Sequence, residues 1–193
     1  MKRFIRDYWA LVLAAALAAA ALVWQVQSAE ILRIPDTAEA EIAFNAECSA
    51  LWVKEIDAAR EGEEIRILDY DFNSQPEVDA IKRAALRHVK VRFVSDRRMT
   101  LNRRAVQWKE LAAEGCELWF DGRHDILHHK VLIRYVPGNT TRNAYITGSY
   151  NPTEHARKRN AENAQAVRSF PAGAKVYWDE WDRHRDHADK WKP

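Results

Sequence analysis

This 193-residue chain has few cysteines, no internal repeat and a small net charge. The only cysteines, Cys48 and Cys116, can form at most one disulfide, so a scaffold held together by several disulfides is excluded. The pattern favours two buried free thiols, although pairing after export stays open. No internal repeat and no low-complexity tract is present, which leaves an ordinary folded domain after the N-terminal segment.

The charge is small but unevenly distributed. The formal net charge is +2, and the first 29 residues contribute all of it. Net charge therefore does not argue for a polyanionic partner. Residues 82–110, however, contain ten lysines or arginines and two acids, whereas residues 36–79 contain thirteen acids and three bases. The basic region could steer a polyanion, or it could be an ordinary solvated helix surface.

The N-terminus predicts export. Lys2, Arg3 and Arg6 precede an apolar run from Tyr8 to Trp24. Seventeen apolar residues are few for a membrane span and many for the core of a signal peptide, so residues 1–29 are predicted to be one or the other. With the positive end in the cytoplasm, the following domain is expected in the periplasm, free or anchored to the inner membrane.

Beyond this segment, residues 30–39 are predicted to be a polar linker and residues 40–193 the functional domain. Strand-like and helix-like patterns alternate, which predicts an α/β layered fold. Trp108 and Trp119 are expected in its core. The predicted strands cover 65–72, 89–96, 117–120, 128–133, 144–147 and 164–167, and the predicted helices cover 45–60, 77–88, 101–114 and 175–191.

A histidine and a lysine two residues apart are the most informative feature. On a predicted strand, His128 and Lys130 point to the same side, because side chains alternate between the two faces. The next strand runs into Gly-Ser-Tyr-Asn, which brings Ser149 and Asn151 close. One nucleophile, one cation and two neutral hydrogen-bonding groups suit a phosphodiester substrate.

These residues resemble the signature of the phospholipase D superfamily, H-x-K-x4-D-x6-G-S-x-N. Glu162 also follows Asn151 at the spacing found in the short bacterial endonucleases of that superfamily, which carry one such motif per chain. The resemblance spans roughly residues 40–191. It implies a mixed central β-sheet flanked by helices, and an active site completed by a second copy of the chain.

Two departures from the signature stand out. Tyr135 occupies the position of the motif aspartate, five residues after Lys130. Residues 136–143 form an insertion with a Pro-Gly turn signal, so it is expected at the solvent-exposed tip of a hairpin. The motif aspartate supports the strand in this family rather than the chemistry, and activity is therefore still expected.

The resemblance also implies a mechanism. His128 of one subunit attacks phosphorus, and His128 of the other protonates the leaving oxygen and then activates water. Lys130, Ser149 and Asn151 stabilise the phosphoryl oxygens, and Glu162 orients a histidine ring. No metal or other cofactor is required, and a bell-shaped pH profile follows.

The substrate is expected to be DNA or RNA. His155, Arg157, Lys158 and Arg159 follow the motif and could bind flanking phosphates, or they could form an exposed loop. Small size and similarity to the single-motif nucleases favour nucleic acid over lipid. A phospholipid substrate and a catalytically inactive binding protein are the alternatives.

A metal site is the remaining interpretation of the histidines. His124, Asp125, His128 and His129 lie within six residues. On a strand, however, His128 and His129 face opposite ways and cannot easily share one ion, and the four-residue spacing of His124 and His128 suits a helix instead. No metal ligands are therefore predicted among them.

Overall fold

A β-sheet with both parallel and antiparallel neighbours organises the chain. The structure is a computed structural model that describes residues 32–99 and 105–192. The predicted signal peptide or anchor, with its apolar run at residues 8–24, lies outside the described residues. Within the described ranges, no helix is both long enough and apolar enough to cross a membrane.

Eight strands and five helices have both of their ends within these ranges. The strands are β1 (Glu39–Phe44), β2 (Glu64–Asp69), β3 (Lys90–Asp96), β4 (Glu117–Asp121), β5 (Lys130–Arg134), β6 (Ala144–Gly148), β7 (Asn163–Arg168) and β8 (Asp189–Lys190). The helices are α1 (Glu47–Asp57), α2 (Gln75–Leu86), α3 (Ala105–Ala113), α4 (Glu154–Arg159) and α5 (Pro171–Arg185).

The strand order is β1-β7-β6-β5-β2-β3-β4-β8. The neighbours β2, β3 and β4 are parallel, and the helices α2 and α3 connect them, as parallel strands require. All other neighbours are antiparallel. The predicted α/β fold with a mixed central sheet is confirmed.

The strands β2 to β7 each supply side chains to two separate hydrophobic cores, one on each face of the sheet. On β2, Ile65 and Ile67 pack with helices α1 to α3, whereas Leu68 packs with α5. On β5, Leu132 joins the first core and Val131 the second. This alternation follows from the period of two along a strand, and it explains why the central strands have apolar side chains on both faces.

The sequence missed the short strands β1 and β8 and the short helix α4. β1 begins at Glu39, at the end of the predicted linker, and its Ile42 and Phe44 are each 61% exposed. The predicted helix 175–191 is wrong at both ends, since α5 begins at Pro171 and ends at Arg185, and β8 follows. The other predicted elements are present with shifts of a few residues, the start of helix 101–114 lying outside the described residues.

Both cysteines are buried free thiols, as predicted. Burial raises the pKa of Cys48 to about 11 and that of Cys116 to about 12. Thiolate chemistry at neutral pH is therefore suppressed at both positions. Trp108 and Trp119 are also buried, one in each core.

A buried ion cluster holds β5 and β7 against α1. Glu55 is 1% exposed and bonds Arg134 (Nη2–Oε2 3.1 Å) and Arg168 (Nε–Oε1 2.5 Å). Arg134 is itself 4% exposed, so it cannot reach water if its partner is removed. Breaking such a pair from one side leaves an uncompensated buried charge.

Glu55→Ala is therefore expected to lower the free energy of unfolding by about 3–5 kcal/mol. Urea denaturation followed by circular dichroism measures this loss. Glu41→Ala is the matched control, because Glu41 also pairs with Arg168 but its side chain is 40% exposed; its cost should stay below about 1 kcal/mol. Similar losses in the two variants would contradict a buried role for Glu55.

Candidate active site

His128 and Lys130 meet around one aromatic ring at the end of β2. The Tyr70 ring lies 5.1 Å from the His128 ring, and the Lys130 Nζ lies 5.4 Å from the Tyr70 centroid. His128 is exposed, whereas Lys130 is 6% exposed. An accessible imidazole beside a buried cation is the pairing that an attack on phosphorus requires.

The predicted strand 128–133 is too long at its start. β5 begins at Lys130, which is paired with Asp69, the last residue of β2. The backbone before His128 is held by a side chain instead, because Leu127 donates its N–H to Asp96 Oδ2 at 2.9 Å. The Lys130 ammonium in turn donates to the His128 carbonyl at 2.8 Å. His128 thus lies in a fixed loop, not on a strand.

Burial makes Lys130 an unusually weak base. Desolvation lowers the pKa of Lys130 to about 8, although Asp69 and Glu162 act in the opposite direction. Asp69 lies directly across from Lys130 on β2 and is fully buried. Burial raises the pKa of Asp69 well above its usual range. Lys130 is therefore a cation at neutral pH that loses its charge in mildly alkaline solution.

Ser149 and Glu162 are joined directly. The Ser149 hydroxyl donates to Glu162 Oε2 at 2.5 Å and accepts the backbone N–H of Asn163 at 3.0 Å. Asn160 donates to the other Glu162 oxygen at 2.9 Å. Within this chain the Glu162 carboxylate thus holds Ser149 and Asn160, and its role in orienting a histidine ring stays a prediction.

Gly148 is required by close packing. A Cβ at this position would lie 2.4 Å from the carbonyl oxygen of Asn163 on β7, far inside van der Waals contact. Only glycine lets the end of β6 and the start of β7 approach so closely, and this is where Ser149 and Glu162 lie. The glycine of the motif is therefore explained by the backbone that positions these two side chains.

Asn151 presents an unsatisfied side-chain carbonyl. Its Oδ1 is buried and has no hydrogen-bond partner among the described residues. A buried polar atom of this kind costs about 1–3 kcal/mol unless it is paired, which is typical of a group held ready for a ligand or a second chain.

The four predicted phosphate-binding residues all lie on α4, so the alternative of an exposed loop for this segment is wrong. Arg157 and Lys158 both pair with Glu154, at 2.8 and 2.6 Å, so much of their charge is neutralised within the helix. His155 and Arg159 are exposed. Lys158 is exposed as well, so the two basic residues that pair with Glu154 differ from His155 and Arg159 in the pairing of their charge and not in accessibility alone.

Tyr135 lies far from the reactive groups. It follows the last residue of β5, and its ring packs against Trp178 of α5 at 5.6 Å. Five residues of strand place it about 17 Å along β5 from Lys130. The inserted residues after it are mostly exposed, as predicted, with Asn143 buried beneath the turn. The replaced motif aspartate therefore belongs to the far end of the strand.

Sequence reasoning missed two neighbours of the reactive pair. Tyr70 and Asp69 follow one another at the end of β2, which is the strand beside β5. Their signal was weak, since pairing between distant strands is needed to place them. His124 and His129, by contrast, are not part of this group: they lie near Asp121 and Glu180.

An exposed histidine, a buried lysine and a Ser–Glu pair on a mixed α/β sheet form an arrangement suited to phosphodiester chemistry. Residues 52–184 match the family described as "Cardiolipin synthase, PLD-like domain". The chain belongs to the phospholipase D superfamily, a superfamily of phosphodiesterases.

Individual relatives agree with this assignment. The chain is 32% identical over 136 residues to a protein named phospholipase D from Rickettsia felis, a match that spans 70% of this chain and 63% of that relative. The fold is similar to Nuc of Salmonella typhimurium, a phospholipase D family member (TM-score 0.71, 25% identity, 81% of this chain and 99% of Nuc). It is also similar to NucT from Helicobacter pylori (TM-score 0.66, 17% identity, 79% of this chain and all of NucT).

Proposed function

We propose that the protein is an exported endonuclease that hydrolyses DNA or RNA through a phosphohistidine intermediate. The observation that carries the proposal is the exposed His128 beside the buried cation of Lys130, with the Tyr70 ring between them. His155 and Arg159, on the helix that follows Asn151, are exposed and suit the flanking phosphates of a polymer.

The reaction has two displacement steps. A ring nitrogen of neutral His128 attacks phosphorus, the P–O bond to the leaving group breaks, and a second histidine gives its proton to the leaving oxygen. Water, deprotonated by that second histidine, then attacks phosphorus and breaks the N–P bond. Lys130 balances the phosphoryl charge throughout, so the chemistry itself needs no metal.

The second histidine is proposed to be His128 of another copy of the chain. The sequence contains H-x-K twice, but His88-Val89-Lys90 leads into the start of β3, whereas Lys130 pairs with Asp69 at the opposite end of the parallel strand β2. Of these two histidines, only His128 lies at the site. Ile42 and Phe44 form an exposed apolar surface on the edge strand β1. This surface adjoins the site, because the next residue, Asn45, donates its backbone N–H to the Glu162 carbonyl and accepts the Glu162 N–H on its side-chain oxygen. A second chain bound there would bring its own groups to Glu162, which could then orient a histidine ring across the interface.

A phospholipid is the second candidate substrate. The Rickettsia relative is named phospholipase D, and Ile126, two residues before His128, is 54% exposed. An exposed aliphatic side chain beside the nucleophile could contact an acyl chain. Anchoring through residues 8–24 would also place the site near a membrane.

One assay separates these substrates and the inactive alternative. The full chain, purified in detergent, is incubated in EDTA with plasmid DNA, single-stranded RNA or phosphatidylcholine micelles. Cleavage of DNA or RNA, with phosphatidylcholine left intact, is expected. Hydrolysis of phosphatidylcholine alone would replace the nuclease by the lipase, and no turnover of any substrate would favour a binding protein.

Light scattering under the assay conditions tests the assembly. A protein mass equal to two chains is expected. An active monomer would contradict the shared site, because one chain supplies only one of the two histidines.

A further inference from the structure

Four side chains from two distant parts of the sequence meet at the C-terminal end of α5. Asp121 ends β4, His124 lies in the loop that leads to His128, and His184 and His187 lie at the end of α5 and just beyond it. The Asp121 Oδ2 atom is 2.8 Å from His124 Nδ1, 2.9 Å from His184 Nδ1 and 3.2 Å from His187 Nε2.

Hydrogen bonding alone does not satisfy this cluster. The other oxygen of Asp121, Oδ1, already accepts the backbone N–H of Arg123 at 2.8 Å. Three imidazoles therefore converge on Oδ2, and a carboxylate oxygen offers about two lone-pair directions. A cation among the four groups would instead accept one lone pair from each histidine and one from the carboxylate.

We propose that Asp121, His124, His184 and His187 form a binding site for one Zn²⁺ ion per chain. Three imidazole nitrogens and one carboxylate oxygen are ligands that zinc commonly takes. The four ligand atoms lie within 4.8 Å of one another, and bonds of about 2.0–2.1 Å need a separation of about 3.3 Å. Small side-chain rotations close this difference, and His124, which is 47% exposed, can make the largest one.

A second carboxylate supports the site. The other ring nitrogen of His184, Nε2, lies 3.1 Å from Glu180 Oε1, one turn earlier on α5. A carboxylate on the far nitrogen fixes the tautomer and the orientation of a metal-bound histidine. His184 would therefore bind zinc through its Nδ1 atom, while its Nε2 atom stays hydrogen-bonded to Glu180. Glu180 also lies 3.9 Å from His129.

Four protein ligands leave no open coordination position, so the site is structural and separate from the hydrolysis. The ion would tie the end of β4 and the loop before His128 to the C-terminal end of α5. Asp121 and His184 are 63 residues apart, so the link closes a long segment of the chain. Zinc would thus hold the start of the loop between β4 and His128 in place without contacting the substrate.

Zinc binding by the full chain tests the site, with any polyhistidine tag removed. Protein freed of metal by a chelator is titrated with Zn²⁺ in a calorimeter, and with Co²⁺ while the visible spectrum is recorded. The expected result is one ion per chain, with the visible bands of tetrahedral Co²⁺ lost when one equivalent of Zn²⁺ is added. A raised melting temperature should accompany Zn²⁺ binding.

The variant His124→Ala/His187→Ala removes the two more exposed ligands. Its Zn²⁺ affinity should fall at least about 100-fold, given that loss of a supporting group alone costs 10–100-fold. Glu180→Gln should weaken binding about 10–100-fold and keep one ion per chain. His88→Asn is the control: His88 is exposed, lies outside the cluster and has φ of 60°, which asparagine tolerates.

Failure of the wild type to bind one ion per chain overturns the proposal, as does equal binding by the double variant. The double variant is known to be folded if its melting temperature in chelator matches that of the wild type in chelator. Nuclease activity is a separate result: the variant without zinc should still cleave below its melting temperature, whereas a variant without His128 should not.

Discussion

His128→Ala is expected to lower nucleic-acid cleavage in EDTA by at least about 10⁴-fold, the scale found when an enzyme loses its nucleophile. His128 is exposed and belongs to no strand, so the variant should keep the fold and the melting temperature of the wild type. Initial rates on plasmid DNA and on single-stranded RNA, taken with circular dichroism, measure both effects. His88→Asn, which removes an exposed imidazole elsewhere, should cleave at the wild-type rate.

The same variant also tests whether two chains share one site. When wild-type chains are co-expressed with an excess of His128→Ala chains, mixed dimers retain a single histidine at the shared site. Activity per wild-type chain should therefore fall as the share of the variant rises. Constant activity per wild-type chain would mean that each chain carries a complete site, and equal cleavage by variant and wild type would indicate a contaminating nuclease.

Lys130→Met is expected to lower kcat by about 10²–10³-fold with little change in KM, since the cation acts mainly on charge that develops in the transition state. Methionine fills a similar buried volume, which limits the effect on the fold. Steady-state kinetics on a defined oligonucleotide separates the two constants. A change confined to KM would assign Lys130 to ground-state binding.

The pH profile gives an independent measure of the same group. Because burial lowers the pKa of Lys130 to about 8, its charge is present below pH 8 and is lost above it. Loss of this charge should steepen the alkaline limb already set by the protonated histidine, by about a further tenfold per pH unit above pH 8. The control Lys90→Met changes an exposed lysine on β3 and should keep this steepening, whereas the residual activity of Lys130→Met should show the histidine limb alone. Steepening only near the usual lysine pKa of 10.5 would contradict the lowered pKa of Lys130.

The sequence predicted those parts of the fold that carry a strong local signal. Central strands such as β2 and β3 are apolar on both faces, and the helices between them have apolar residues at helical spacing. These patterns depend only on neighbours along the chain, so the α/β order could be predicted from them. The mixed sheet was predicted from the resemblance to the phospholipase D superfamily. The motif residues were predictable for the same reason, since Ser149 and Asn151 directly follow a strand.

The missed elements lack such a signal. β1 is only six residues long and lies at the sheet edge, and the apolar members of its alternation, Ile42 and Phe44, are exposed and not part of a core. β8 has two exposed residues within a charged, tryptophan-rich segment that resembles a helix. Pairing with β4 alone makes it a strand, and no local pattern reports that pairing.

The histidine cluster was missed because its members are distant in sequence. His184 and His187 lie 63 and 66 residues after Asp121, and the sheet order that places β4 beside β8 brings them together. Among the nearby histidines that suggested a metal, only His124 reaches the cluster. Spacing along one segment could not have identified the other ligands.

The position of Tyr135 has a consequence for how related chains are classified. A search that demands the complete H-x-K-x4-D signature would set this chain aside as degenerate. The missing aspartate, however, lies at the far end of β5, where the Tyr135 ring packs against Trp178. The candidate active-site residues lie at the Lys130 end of the strand. Chains that differ at the other end can therefore be sorted by His128, Lys130 and Ser149 without reference to the aspartate.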